Sequence, residues 1–345
     1  MSEILVLGIS HYPPLTGHDA RMAAILKRML TNPKLPAQLR TPAGWPAAMR
    51  EEWGQDEGTT AAARHRAALV GWMEKVRAAL DDFKPDFVLI WGDDQYENFR
   101  EDLIPAYSVA AYDDFRFSPP TDNVWGETDR TYELQGNRVA GKMLASRLLE
   151  AGFDTAYSYK PLHHPLGHAF ANAVLYLDYA RRGFPYPILP FAINCYGRKV
   201  VSQHGGMPKF DTQLADADLD PPAPMPWRLF DLGAATARIL ADSPYRVALL
   251  ASSGWSHAFL VGKHHYLYPD TQADRLMYEH LRSGNYDAWR AYPGQAVEDS
   301  GQQEILNWMC LVGALQALGR RPQKLGFVDT WIFNSSKTFL IAPPS

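Results

Sequence analysis

Apolar side chains fill five of the six positions from Ile4 to Ile9 without alternation. Such a run predicts a strand covered on both faces, as in a parallel sheet. Pro13-Pro14 stops it, because proline fixes φ and offers no N–H to a ladder. Comparable runs at 87–91, 105–111, 186–194 and 245–251 predict further strands, and 327–333 and 338–342 predict two more near the end. Between them the apolar period changes to that of a helix. Met22, Ile25, Leu26 and Met29 share one face behind Asp19, and Leu69, Trp72, Met73, Val76 and Leu80 share another. A helix is predicted over 132–151 with Gly152 as its stop, another over 229–240, and a last one over 301–318 with Ile305, Trp308, Met309, Val312 and Leu315 inward.

Alternating strands and helices with no linker predict one α/β domain spanning 1–345, a mostly parallel or mixed central sheet flanked by helices. In such sheets ligands sit at the carboxyl ends of the strands. Two stretches lack a period: 31–60, rich in proline, glycine and tryptophan, and 203–226. Long irregular excursions are usually functional, so the first is expected over the mouth of a site.

Composition narrows the function classes. A formal charge of -4 with 21% charged residues leaves no basic stripe for a phosphate backbone, so nucleic acid is not an expected partner. Cys195 and Cys310 are the two cysteines, far apart in sequence, which argues against a disulfide framework and fits a reducing cytoplasm. No stretch of about 18 uncharged apolar residues predicts a membrane span, and no secretory leader pattern opens the chain.

Polar groups with chemical potential cluster where strands end. His11 follows the first strand, and Asp93-Asp94-Gln95 follows the second. His163, His164 and His168 crowd a turn, which is uncommon in a core because each buried imidazole needs partners. His257 closes Ser252-Ser253-Gly254-Trp255-Ser256, small residues that let the backbone bend to present an imidazole. Glu304 lies at the edge of the last helix's apolar stripe, where a carboxylate costs free energy unless paired or metal-bound. Each also has a structural explanation. Taken alone, His11 reads more readily as a capping or core histidine, Asp94 as the cap of the element after a solvated turn, and Glu304 as a first-turn acid favoured by the helix dipole.

Taken together, Gly8-Ile9-Ser10-His11, Lys84-Pro85-Asp86 with Gly92-Asp93-Asp94-Gln95, Ser253-Gly254-Trp255-Ser256-His257, and Glu304 with Trp308 and Gly313-Ala314-Leu315 resemble the class III extradiol ring-cleaving dioxygenases, the superfamily of the protocatechuate 4,5-dioxygenase beta subunit. The resemblance implies that His11 and Glu304 ligate a metal, that His257 is the catalytic acid/base, and that His168, with His164 as substitute, is a second active-site histidine. The family's second metal-binding histidine falls on Gln95, so Gln95 or its neighbour Asp94 is the expected third ligand. The cofactor implied is Fe(II), with Mn(II) or another divalent metal as the alternative because an oxygen donor replaces an imidazole. The implied partners are a small catechol-type aromatic substrate and O2, the product a ring-opened semialdehyde, and the assembly a homo-oligomer. Aromatic residues of the 45–53 segment, with Tyr96 or Tyr112, are expected to wall a flat pocket. Two rival functions remain on the same fold: a metal-assisted hydrolase or lyase, and a binding protein without catalysis.

Overall fold

A computed structural model describes residues 2–205 and 214–344. In it the apolar runs become strands β1 (Ile4–Ile9), β2 (Phe87–Asp93), β3 (Tyr107–Ala110), β4 (Asp114–Phe117), β5 (Tyr132–Gln135), β6 (Ala156–Ser158), β7 (Ile188–Ile193), β8 (Val247–Ser252), β9 (Lys324–Val328) and β10 (Lys337–Ala342). The helices are α1 (Ala24–Leu30), α2 (Ala47–Trp53), α3 (Thr59–Phe83), α4 (Arg138–Glu150), α5 (His168–Leu177), α6 (Gly197–Ser202), α7 (Pro226–Ala241), α8 (Thr271–Ser283), α9 (Tyr286–Arg290), α10 (Gly294–Asp299) and α11 (Ile305–Ala317). Eight strands form one sheet in the order β6-β3-β7-β2-β8-β1-β10-β9, and β4 pairs with β5 apart from it. The central strands β7, β2, β8 and β1 are parallel, while β3 runs against β7 and β10 against β1. This is the mixed α/β sheet that the alternation predicts.

Why the first strand carries no alternation is visible in its packing. Leu5, Leu7 and Ile9 enter the layer built with α3 and α5, whereas Ile4 and Val6 enter the layer built with α7 and α11. Both faces are buried, so no position is left for water. Gly8 has a separate reason to lack a side chain. A Cβ there would overlap the Trp308 ring of α11, which packs directly against β1 at this position.

Three predicted elements shift. Over 132–151 the helix begins only at Arg138, because Tyr132 and Leu134 are buried while Glu133 and Gln135 are exposed, a period of two that makes β5. Asn137 then caps α4, accepting the N–H of Ala140 at 3.0 Å. The strand predicted at 327–333 lies at Lys324–Val328 instead. Beyond it the chain turns, since Glu52 accepts the N–H groups of Trp331 and Ile332 and the hydroxyl of Thr330. The excursion at 31–60 is not an open loop: it holds α2 and the start of α3, and Trp45 and Trp53 are buried edge-to-face at 5.4 Å. These tryptophans are core, not pocket wall. Of the second excursion, residues 206–213 lie outside the described residues. Among the described residues, no helix is long and apolar enough to cross a membrane.

Candidate metal centre

Strand register brings the chemistry together. Gly8 of β1, Ala251 of β8 and Trp91 of β2 stand level across the three central strands. His11 and Asp93 follow three and two residues beyond that level, so both emerge at the carboxyl edge of the sheet. Glu304 arrives from the other side as the residue preceding α11. Ser253 Oγ donates to the Glu304 carbonyl at 2.8 Å, and Trp308 Nε1 donates to the Ser253 carbonyl at 3.2 Å, which ties the helix start to the end of β8. His168 comes from the first residue of α5.

The side chains meet in a buried cluster. His11 Nε2 lies 3.8 Å from Asp93 Oδ1 and 3.6 Å from Glu304 Oε2, and His168 Nε2 lies 3.8 Å from Asp93 Oδ2. Donor atoms of His11, Asp93 and His168 all fall within 4.8 Å of one another. His257 Nε2 is 3.2 Å from Glu304 Oε1, the oxygen that also accepts the Tyr196 hydroxyl. Asp93 and Glu304 are essentially inaccessible, whereas the His168 side chain is 24% exposed, so the cluster opens to solvent along the His168 edge.

Each imidazole has its tautomer set from behind. His11 Nδ1 is 2.7 Å from the Ser252 carbonyl and His257 Nδ1 is 2.9 Å from the Trp255 carbonyl, so each donates there and turns a bare Nε2 into the cluster. His168 Nδ1 is 3.0 Å from Glu97 Oε2, and its backbone N–H donates to Glu97 Oε1 at 2.9 Å. The bend presenting His257 is braced twice, by its N–H donating to the Gly301 carbonyl at 2.8 Å and by a bridge to Ser335. That second brace belongs to the turn that Glu52 holds, so the 31–60 excursion supports the His257 side from within the core.

Charge in this cluster is frustrated. Burial drives the His11 ring well below its ordinary pKa, and the neighbouring His168 pushes it further; burial also lowers His257 to about 4. Burial raises the Asp93 carboxyl well above the usual range, with Glu304 reinforcing the shift, and burial likewise raises Glu304. Burial would also lower His168, but the Glu97 hydrogen bond and the charges of Glu97, Asp93 and Glu304 overcome it and push the ring up to about 10. Asp93 Oδ2 and Glu304 Oε2 remain buried with no hydrogen-bond partner. The bare Nε2 of His11, the Nε2 of His168 once its proton is shed, and two orphaned carboxylate oxygens form a set that could hold a divalent cation. Metal bonds of about 2.0–2.2 Å place neighbouring donors roughly 3–3.5 Å apart, close to what the cluster holds.

Of the residues expected from the sequence, His11, Glu304, His257 and His168 are brought together, and Asp94 and Gln95 are not. The Asp94 carboxylate collects the N–H groups of Glu97, Asn98 and Phe99, capping the turn after β2. Tyr96 adopts φ 62° in that turn, and the Gln95 amide donates to the Gly205 carbonyl at 2.8 Å, away from the cluster. The reason is one of register. The strand runs on to Asp93, paired with Ile193, so Asp93 is the side chain that faces inward. Tyr96 stacks on His204, and Tyr112 lies against Phe115. His164 stays outside, its backbone N–H on Asn98. Sequence reasoning did not single out Tyr196, Glu97 or Asn307, which donates to Asp93 Oδ1 at 3.4 Å. The polar Asn194-Cys195-Tyr196 step after a buried strand was the available signal for the first of these.

An open α/β sheet gathering two imidazoles and two buried carboxylates at its carboxyl edge, with a third imidazole on one carboxylate, defines a candidate metal-dependent enzyme centre. Comparison with known proteins gives that class its relatives. The chain is similar to 2,3-dihydroxyphenylpropionate/2,3-dihydroxicinnamic acid 1,2-dioxygenases, which are class III extradiol dioxygenases. It is 25% identical over 185 residues to that of Photorhabdus laumondii subsp. laumondii, covering 53% of this chain and 47% of the relative. Against the second such dioxygenase of Pseudomonas putida it is 26% identical over 186 residues, with 52% and 46% covered. Against that of Comamonas testosteroni it is 24% identical over 185 residues, again 52% and 46%. The chain thus spans about half the length of the curated relatives it matches. No family model matches the chain.

Proposed function

We propose that the chain is a non-haem, metal-dependent extradiol dioxygenase that opens the ring of a catechol-type substrate with O2. The observation that carries this reading is the grouping of His11, Asp93 and His168, with Glu304 3.6 Å from His11 and His257 against Glu304. His11, Asp93, His168 and Glu304 would hold the ion. Fe(II) is the ion we propose, since two imidazoles and carboxylates with open positions suit it; the second carboxylate, Asp93, hardens the set and makes Mn(II) the alternative. When bound, such an ion supplies the Lewis acidity and one-electron chemistry that O2 needs to react with a diol.

The chain's own groups handle orientation and protons. His257 is neutral at physiological pH because burial holds its pKa down to about 4, so Nε2 can take a proton from a substrate hydroxyl. Its Nδ1–H stays on the Trp255 carbonyl, which keeps the ring aimed. Tyr196 holds Glu304 Oε1 against that ring, and the resulting contact gives the abstracted proton a place to be shared. The exposed edge of His168 marks the approach for substrate.

The names of the relatives supply the first diol to try, 2,3-dihydroxyphenylpropionate, with catechol, protocatechuate and gallate beside it. The test is anaerobic Fe(II) loading followed by oxygen-uptake recording with each diol. Uptake with a yellow ring-opened product supports the reading; no uptake from metal-loaded protein with any diol overturns it. The extra carboxylate also favours a second reading, a hydrolase or lyase using a redox-inert ion as Lewis acid. Metal content of the purified protein separates the two.

A further inference from the structure

Glu97 is explained neither by the fold nor by the proton chemistry above. Its carboxylate is reached through a turn built to deliver it: Asp94 gathers three consecutive N–H groups, and Tyr96 takes a left-handed conformation. The same carboxylate then grips one residue twice, taking the backbone N–H of His168 at 2.9 Å and its Nδ1 at 3.0 Å. Gly167 leaves room for this, since a Cβ there would stand 2.9 Å from Glu97 Oε2. Fixing the main chain and the ring of one histidine together removes its rotamer freedom as well as its choice of tautomer. His11, by contrast, is aimed by a main-chain carbonyl and has no charged partner behind it.

We propose that Glu97 is the positioning residue of this centre: it fixes His168 with Nδ1 protonated and Nε2 presented, making His168 the second imidazole ligand where Gln95 turns away. The inference rests on the metal reading above and adds to it a carboxylate–imidazole–metal arrangement peculiar to this turn. Outer carboxylates of this kind orient the ring and strengthen it as a donor, and their loss typically costs about 10–100-fold in metal affinity.

The test uses Co²⁺ as probe on the full chain, by calorimetry from pH 7 to 9 extrapolated to the deprotonated site, and by visible absorption. Glu97→Ala should weaken Co²⁺ by about 10–100-fold and alter its absorption bands. Glu97→Gln, which keeps one acceptor, should fall between Ala and the parent, and it carries the test if the alanine variant does not fold. In a His168→Ala background, Glu97→Ala should cost less than about twofold, because the two residues act as a unit. Wild-type affinity and spectrum in Glu97→Ala, or an equal loss with and without His168, overturns the role. If His11→Ala and His168→Ala bind Co²⁺ as the parent does, the metal reading itself has failed; if they weaken it and Glu97→Ala does not, only the positioning role has.

Discussion

Raising the pH from 7 to 9 should tighten Mn²⁺ binding about 100-fold. The His168 ring is held protonated up to about pH 10 by Glu97, Asp93 and Glu304. A ligand must shed its proton to bind, so at pH 7 the ion must displace one held about three pH units too firmly. At 1.36 kcal/mol per unit this opposes binding by about 4 kcal/mol. Each unit of pH returns one factor of ten while a single proton is released per ion. Below about pH 7 the slope should steepen, because the Glu304 carboxyl, raised to about 7, adds a proton of its own. Isothermal calorimetry at pH 7, 8 and 9, in paired buffers of different ionisation enthalpy, measures both affinity and proton release. A Kd independent of pH, or binding without proton release, would refute the reasoning. The sign for stability runs the other way. A ring with a raised pKa stabilises the metal-free fold fully below about 6.5, and this is lost as pH rises through about 10. The metal-free Tm should therefore fall at alkaline pH while the metal-bound Tm holds.

Four substitutions probe the remaining parts. Asp93→Asn replaces a buried carboxylate oxygen that has no hydrogen-bond partner, so it should abolish tight metal binding in calorimetry. His257→Gln should lower kcat by about 10²–10⁴ with metal affinity within about threefold, separating proton transfer from ligation in steady-state kinetics and calorimetry. Gly8→Ala should cost about 1–3 kcal/mol in denaturant unfolding, because the new methyl overlaps the Trp308 ring. Gln95→Ala should leave metal affinity within about twofold, since its amide is engaged with the Gly205 carbonyl; a tenfold loss would return Gln95 to the ligand set.

Much of this centre is legible in the chain before any coordinates. Doubly buried strands announce themselves as unbroken apolar runs, so the sheet and the position of His11 at its carboxyl edge follow from local pattern. Glu304 and His257 stand out because a carboxylate at the edge of an apolar stripe and an imidazole in a small-residue bend both need a reason. The step from Asp94 to Asp93 was not legible, because it depends on where β2 stops. Apolar character ends at Trp91, but pairing with β7 carries the strand two residues further and reverses which acid points inward. His168 as the partner of Asp93, and Glu97 behind it, depend on the docking of α5 against that turn, a contact across 71 residues. The tryptophans at 45–53 misled for a related reason: aromatic residues in a proline-rich stretch suit a pocket wall and a buried staple equally, and only packing decides.

The central claim is that one divalent ion is shared by His11, Asp93, His168 and Glu304. A crystal structure of Mn²⁺-loaded protein with anomalous scattering tests it most directly. The account predicts one strong peak about 2.0–2.3 Å from His11 Nε2, His168 Nε2 and an oxygen of Asp93 and of Glu304. A peak ligated by Asp94 or Gln95, or the absence of any peak at this cluster in protein that binds the ion in solution, would contradict it.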